Sequence, residues 1–153
     1  MKVKKSDNHP IILFDGVCSM CNQWVQFVIK RDSKALFKFA SLQSNLGDSI
    51  IKHYKVNTKG RESIVLIEEE KVYIESTAVL KIISRLEGPI KMVTLFWIIP
   101  KPIRDQAYRI IAKRRYRLFG KKEACMVPTK EMQSRFIKDK TESRAINEEK
   151  YIP

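Results

Sequence analysis
The sequence predicts an α/β fold: a small mixed four-stranded sheet in a three-layer arrangement, followed by a C-terminal helical appendage. Three observations predict it. Short apolar runs end at turn dipeptides, helical periodicity alternates with them over the first 88 residues, and a change of character follows Pro89. The chain of 153 residues suits one domain covering 1–153, with a core at about 10–89, a basic appendage at about 90–128 and a tail at 129–153.

The run "IILF" (11–14) stops at Asp15-Gly16, as a buried strand stops at a turn. From Met20, Trp24, Phe27 and Val28 recur at helical spacing, and the helix closes near Ser33. "LFKFASL" (36–42) reads as a second strand, with Phe37 and Phe39 on one face. Ser44-Asn45 caps a helix to about Tyr54, with Leu46, Ile50 and Ile51 turned inward. "SIVLIEE" and "KVYIES" form a hairpin whose strands are separated by acids. Ser76 or Thr77 then caps "AVLKIISRLEG", whose Val79, Ile82, Ile83 and Leu86 make an apolar stripe ended by Gly88-Pro89. The order β-α-β-α-β-β-α is the thioredoxin-like topology, with one parallel strand pair from the β-α-β start and a hairpin that makes the sheet mixed.

Beyond Pro89 a helix is expected from about Ile103 to Phe119. Ala107, Ile110, Ile111 and Leu118 lie close to one face, and Arg109, Lys113 and Arg117 line another; Gly120 is its natural stop. The tail past Pro128 mixes six basic and five acidic residues over 129–150 and reads as a frayed helix.

The net charge of +13 favours attraction to nucleic acid, anionic lipid or acidic proteins. It is concentrated: residues 101–122 hold nine basic residues and one acid, a net +8. Arg109, Lys113, Arg114, Arg115 and Arg117, interleaved with Tyr108, Tyr116 and Phe119, fit a nucleic-acid surface or an ordinary solvated face. "LFWIIPKPIR" fits a segment lying at an anionic membrane surface, with Trp97 at the interface, or a proline-interrupted core segment. No signal peptide is visible, and the longest apolar run, "MVTLFWII", falls far short of the about 20 residues that span a bilayer. A cytoplasmic location is the expectation.

Three cysteines are too few for a disulfide scaffold and suit a reducing compartment, where paired cysteines are catalytic or metal-binding. Cys18 and Cys21 sit three apart at the start of a helix that follows a strand. The helix terminus offers free N–H groups and the positive end of the dipole, which stabilise a thiolate on the first cysteine. On that basis Cys18 attacks a substrate disulfide and Cys21 resolves the mixed disulfide. Trp24, one turn further, can pack beneath the pair. Asp15 is either a proton acceptor for Cys21 or a turn former. The competing readings are inert helix cysteines, or a metal site at the pair. A structural zinc needs four ligands, and beyond the pair the chain offers Cys125, His9 and His53, with no second C-x-x-C and no H-x3-H. No metal and no organic cofactor are expected.

"FDGVCSMCNQWVQFVIKRD", with its D-x-x-C-x-x-C core, resembles the thiol-disulfide oxidoreductase DCC family. So do "KVYIESTAVLKIISRL" and "YRIIAKRRYRLFGKKEAC", and together the three stretches span roughly residues 10 to 128. The resemblance implies a thioredoxin-like fold and a protein-disulfide reductase type of activity on a disulfide-containing protein or small thiol, with a recycling reductant it does not name. By position it implies roles for Asp15, Cys18 and Cys21, for Ser76 and Ala78 at a helix entry, and for Arg115, Tyr116, Arg117, Phe119, Gly120 and Cys125 in the late stretch. Cys125 fits a third redox thiol or a small apolar filler. Thioredoxins carry a cis-proline before the third strand, facing the cysteines. This chain has no proline from 11 to 88, and Glu62 and Ser63 fall at that position, so substrate docking differs.

Overall fold
The computed structural model describes residues 9–57, 64–120 and 134–137. Its elements run β1 (Ile11–Phe14), α1 (Ser19–Arg31), β2 (Lys38–Ser41), α2 (Asn45–His53), β3 (Val65–Glu68), β4 (Lys71–Ile74), α3 (Glu75–Arg85), a 3-10 segment (Pro89–Ile98) and α4 (Lys101–Phe119). The strands form one mixed sheet in the order β2-β1-β3-β4. β1 and β2 are parallel, with Phe14 opposite Ser41, while β3 is antiparallel to both β1 and β4. This is the thioredoxin-like α/β architecture that the element order predicts.

Alternation along each strand sends side chains to two faces and so makes three layers. Ile12, Phe14, Phe39 and Leu66 meet Val25 and Val28 of α1 and Ala78 and Ile82 of α3. Leu13, Ala40, Val65 and Ile67 meet Ile50 of α2 on the opposite face. Gly47 brings α2 close: a Cβ there would overlap the Ser41 carbonyl at the end of β2. Ser44 caps that helix as expected, its hydroxyl accepting the Gly47 N–H at 3.0 Å. The β3–β4 hairpin turns on Glu69 and Glu70, both at positive φ (49° and 64°), a conformation for which glycine or asparagine is the usual choice.

Two expectations need correction. Neither Ser76 nor Thr77 caps α3. The helix begins at Glu75 without a side-chain cap, the Ser76 hydroxyl donates to Asp105 instead, and the Thr77 hydroxyl has no hydrogen-bond partner. The tail is not helical where it is described. Phe39 N–H donates to the Arg135 carbonyl and Ile137 N–H to the Phe39 carbonyl, both at 2.9 Å, so residues 134–137 lie along the open edge of β2. Phe136 packs there against Phe14 and Phe39, and Arg135 pairs with Asp32 at 2.8 Å.

Helix α4 is docked differently from the other helices. Of its apolar stripe, Ile110, Ile111 and Leu118 are exposed, as is Ile103. The buried residues of this helix are Asp105 and Arg115. The helix is held by charges: Arg109 forks onto buried Glu75 at 3.0 and 3.2 Å, and Asp105 accepts from Lys101 at 2.9 Å as well as from Ser76. Buried carboxylates at the start of α3 (Glu75) and just after β1 (Asp15) need cationic partners, and this requirement overrides the apolar periodicity.

Candidate functional site
The C-terminal ends of the parallel strands β1 and β2 and the N-terminus of α1 converge on the cysteines. Cys18 is the N-cap of α1, and its sulfur accepts the backbone N–H of Cys21 at 3.4 Å. Both thiols are free, and both are buried, Cys18 at 0% and Cys21 at 2% exposure. Burial, together with the adjacent Cys18 sulfur, pushes the Cys21 thiol well above its ordinary value, with the Arg115 guanidinium opposing.

Asp15, immediately after β1, is fully enclosed. Its Oδ1 accepts the Val17 backbone N–H at 3.1 Å and the Gln43 side-chain amide at 2.7 Å. Its Oδ2 accepts from Arg115 Nη2 at 3.1 Å and from the Tyr116 hydroxyl. Asp15 is thus a turn former and also the counter-ion of a buried arginine. Arg115 in turn places Nη1 3.8 Å from Cys21 Sγ, so one guanidinium bridges carboxylate and thiol. Burial works against its charge, but Cys21, Tyr116 and Cys18 outweigh burial and raise its pKa above the ordinary value.

Two amides complete the cluster. Gln43 follows β2, and its Oε1 accepts the Gly16 N–H at 3.0 Å while its amide holds Asp15. Buried Asn22, in the first turn of α1, donates to the Gly16 carbonyl at 3.0 Å and so ties the turn to the helix. Sequence reasoning singled out neither. The signal that finds Gln43 is the strand register: Phe14 opposite Ser41 sets the residues after each strand side by side.

The structure therefore gathers Asp15, Cys18, Cys21, Arg115 and Tyr116. Trp24 stacks on Phe27 with ring centroids 5.5 Å apart, and its indole N–H has no hydrogen-bond partner. Arg117 is exposed on α4 and is not part of the cluster. Glu62, Ser63 and Cys125 lie outside the described residues. Just beyond the first two, the Ile64 backbone N–H donates to the Tyr108 hydroxyl of α4 at 3.2 Å. The hydroxyls of Tyr108 and Tyr116 thus both bond within the protein. Among the described residues, no three His, Cys, Asp or Glu side chains gather as a metal ion would require. His9 instead meets the Leu36 carbonyl at 3.0 Å, near the start of β1, at the end of that strand remote from the cysteines.

Comparisons with known proteins show the family. The profile of the DCC1-like thiol-disulfide oxidoreductase family matches residues 12–121, from β1 past the end of α4. The chain is 47% identical over 127 residues to the uncharacterized protein YuxK of Bacillus subtilis, covering 83% of this chain and 93% of that one. It is 36% identical over 122 residues to a chloroplastic DCC family protein of Arabidopsis thaliana, covering 79% and 71% respectively. No solved structure matches. A cysteine pair at a helix N-terminus, an aspartate before it and an arginine locked between them all lie within the matched span, and the chain belongs to the DCC1-like thiol-disulfide oxidoreductase family.

Proposed function
We propose that the protein is a thiol-disulfide oxidoreductase of the protein-disulfide reductase type. Cys18 is its nucleophile and Cys21 its resolving thiol. The observation that carries this reading is the N-cap position of Cys18, where the backbone N–H of Cys21 is aimed at the sulfur. Cys21, pushed up by burial, keeps its proton through the first step.

In the cycle, the Cys18 thiolate attacks one sulfur of a substrate disulfide. That bond breaks, a Cys18–substrate disulfide forms, and the departing substrate thiolate takes a proton from solvent. Cys21 then loses its proton and attacks Cys18 Sγ. The second substrate sulfur leaves as a thiol; the substrate has gained two electrons, and the cysteine pair that gave them up is left oxidised as a Cys18–Cys21 disulfide. A dithiol reductant restores the pair. Arg115 stabilises the Cys21 thiolate as it forms, and Asp15 is a positioning residue that fixes the guanidinium beside it. With both sulfurs buried, the substrate reaches Cys18 only when the residues covering the pair move aside. The cysteine count fits a reducing compartment such as the cytoplasm.

The test is insulin-disulfide reduction with dithiothreitol as the reductant. The wild type accelerates it, Cys18→Ser abolishes the acceleration, and Cys21→Ser accumulates a Cys18-linked mixed disulfide. A Cys18→Ser protein with full activity overturns the reading.

A further inference from the structure
The 3-10 segment and α4 carry an exposed surface that the cysteine chemistry does not use. No residue of Pro89–Ile98 is buried, although "PIKMVTLFWI" is almost wholly apolar; Met92 is 75% exposed and Ile98 81%. Ten residues of 3-10 helix are already long for a geometry used in short pieces, and such a segment gains little from its own hydrogen bonds. Two residues later α4 begins, with Ile103, Ile110, Ile111 and Leu118 spaced along its outward side and Phe119 at its end. So large a set of exposed apolar side chains on adjoining elements marks an interaction surface.

Its charge indicates the partner. From Pro89 to Gly120 the only acid is Asp105, and that residue is buried and paired with Ser76 and Lys101. The exposed charges on these elements are all positive, among them Lys91, Lys101, Lys113, Arg114 and Arg117. Apolar side chains set among cations, with no exposed carboxylate, complement a layer that is apolar beneath and anionic at its surface. Nucleic acid fits less well, because Tyr108 and Tyr116, the aromatics best suited to stacking between the basic residues, are hydrogen-bonded inward to Ile64 and Asp15. Among the described residues, no helix is long and apolar enough to cross a membrane, so contact is confined to the interface.

We propose that the outward face formed by Pro89–Ile98 and α4 docks on an anionic lipid surface. Trp97, about half exposed and with the Arg104 guanidinium 5.0 Å from its ring, sits at the headgroup level. Leu95, Phe96 and Ile98 enter the acyl boundary, and Lys113, Arg114 and Arg117 contact phosphate.

The experiment is co-sedimentation of the full chain with vesicles, either of phosphatidylcholine alone or of equal parts phosphatidylcholine and phosphatidylglycerol. The expected result is binding to the mixed vesicles at low salt, weakened by added salt, and none to phosphatidylcholine alone. Phe96→Ser with Trp97→Ser, and separately Lys113→Glu with Arg114→Glu, each lower partitioning roughly tenfold or more. All four residues are exposed, so both variants keep the wild-type circular dichroism and insulin-reducing activity. The proposal is overturned by any of four results: no binding to the mixed vesicles, binding indifferent to both variants, preferential binding to single-stranded RNA, or a solution dimer that Phe96→Ser with Trp97→Ser dissociates.

Discussion

The sheet and α4 are both held in place by buried side chains, but of opposite kinds. Around β1, the side chains of Ile12, Phe14, Phe39, Val28 and Ile82 exclude water from one another and contain no polar atom. Beneath α4, the buried contacts are Asp105 with Ser76 and Lys101, Arg109 with Glu75, and Arg115 with Asp15 and Cys21. Apolar packing tolerates small displacements and depends on volume. Ionic docking depends on every partner being present, because a charge left buried alone is expensive. The two regions should therefore fail differently when probed.

The sharpest probe of the sheet is Phe39→Ala, which leaves a cavity between β1, β2 and Phe136 and should cost about 3–5 kcal/mol in urea unfolding. On the α4 side, Arg115→Met keeps the volume but strands Asp15, and a comparable loss of about 3–5 kcal/mol is expected. The double variant Asp15→Asn/Arg115→Met should recover much of that loss. If it does not, the pair is not the ionic clasp described here.

A smaller effect separates the regions by pH. Burial opposes the Asp105 charge, but hydrogen bonds from Ser76 and Lys101 outweigh it and hold the carboxyl below its ordinary value of 3.8. A depressed carboxyl contributes stability that is present above the unfolded-state value and lost as pH falls through the folded one. Asp105→Asn should therefore be less stable than wild type near neutral pH, with the gap closing below about pH 4. Thermal unfolding across pH 2–7 measures this, and a gap independent of pH would argue against an ionised Asp105. The smallest change is expected on the outer face of α4, where Ile110→Ser should stay within about 0.5 kcal/mol of wild type. A loss comparable to that of Phe39→Ala would mean that this residue is covered in solution.

The same contrast explains what was legible in the sequence. Strands β1 to β4 and helices α1 to α3 follow from periodicity because their apolar residues do turn inward, as Val28, Ile50, Ile82 and Leu86 show. Helix α4 has an equally clear periodicity that points the wrong way. Its orientation is set by Glu75 and Asp15, acids tens of residues distant in sequence, and no local pattern encodes that. Within the site, the spacing of Asp15, Cys18 and Cys21 was legible from the motif. Arg115 and Tyr116 are marked in the sequence by the basic and aromatic pattern of α4 and by family resemblance, neither of which assigns them a contact. Gln43 and Asn22 are neutral amides whose importance appears once the ends of β1 and β2 are seen side by side.

The strip of chain at residues 134–137 has a consequence for synthesis. Lys38, in β2, donates to the Ser134 carbonyl across a separation of 96 residues, next to the Phe39–Phe136 pairing. As the chain leaves the ribosome, β2 can align on β1 early, but its outer edge keeps open hydrogen-bonding groups until residues 134–137 emerge. An unpaired edge is the usual seed of intermolecular strand pairing. During that interval the nascent protein is at its most vulnerable to aggregation, and the arrival of residues 134–137 on the edge of β2 is what ends it.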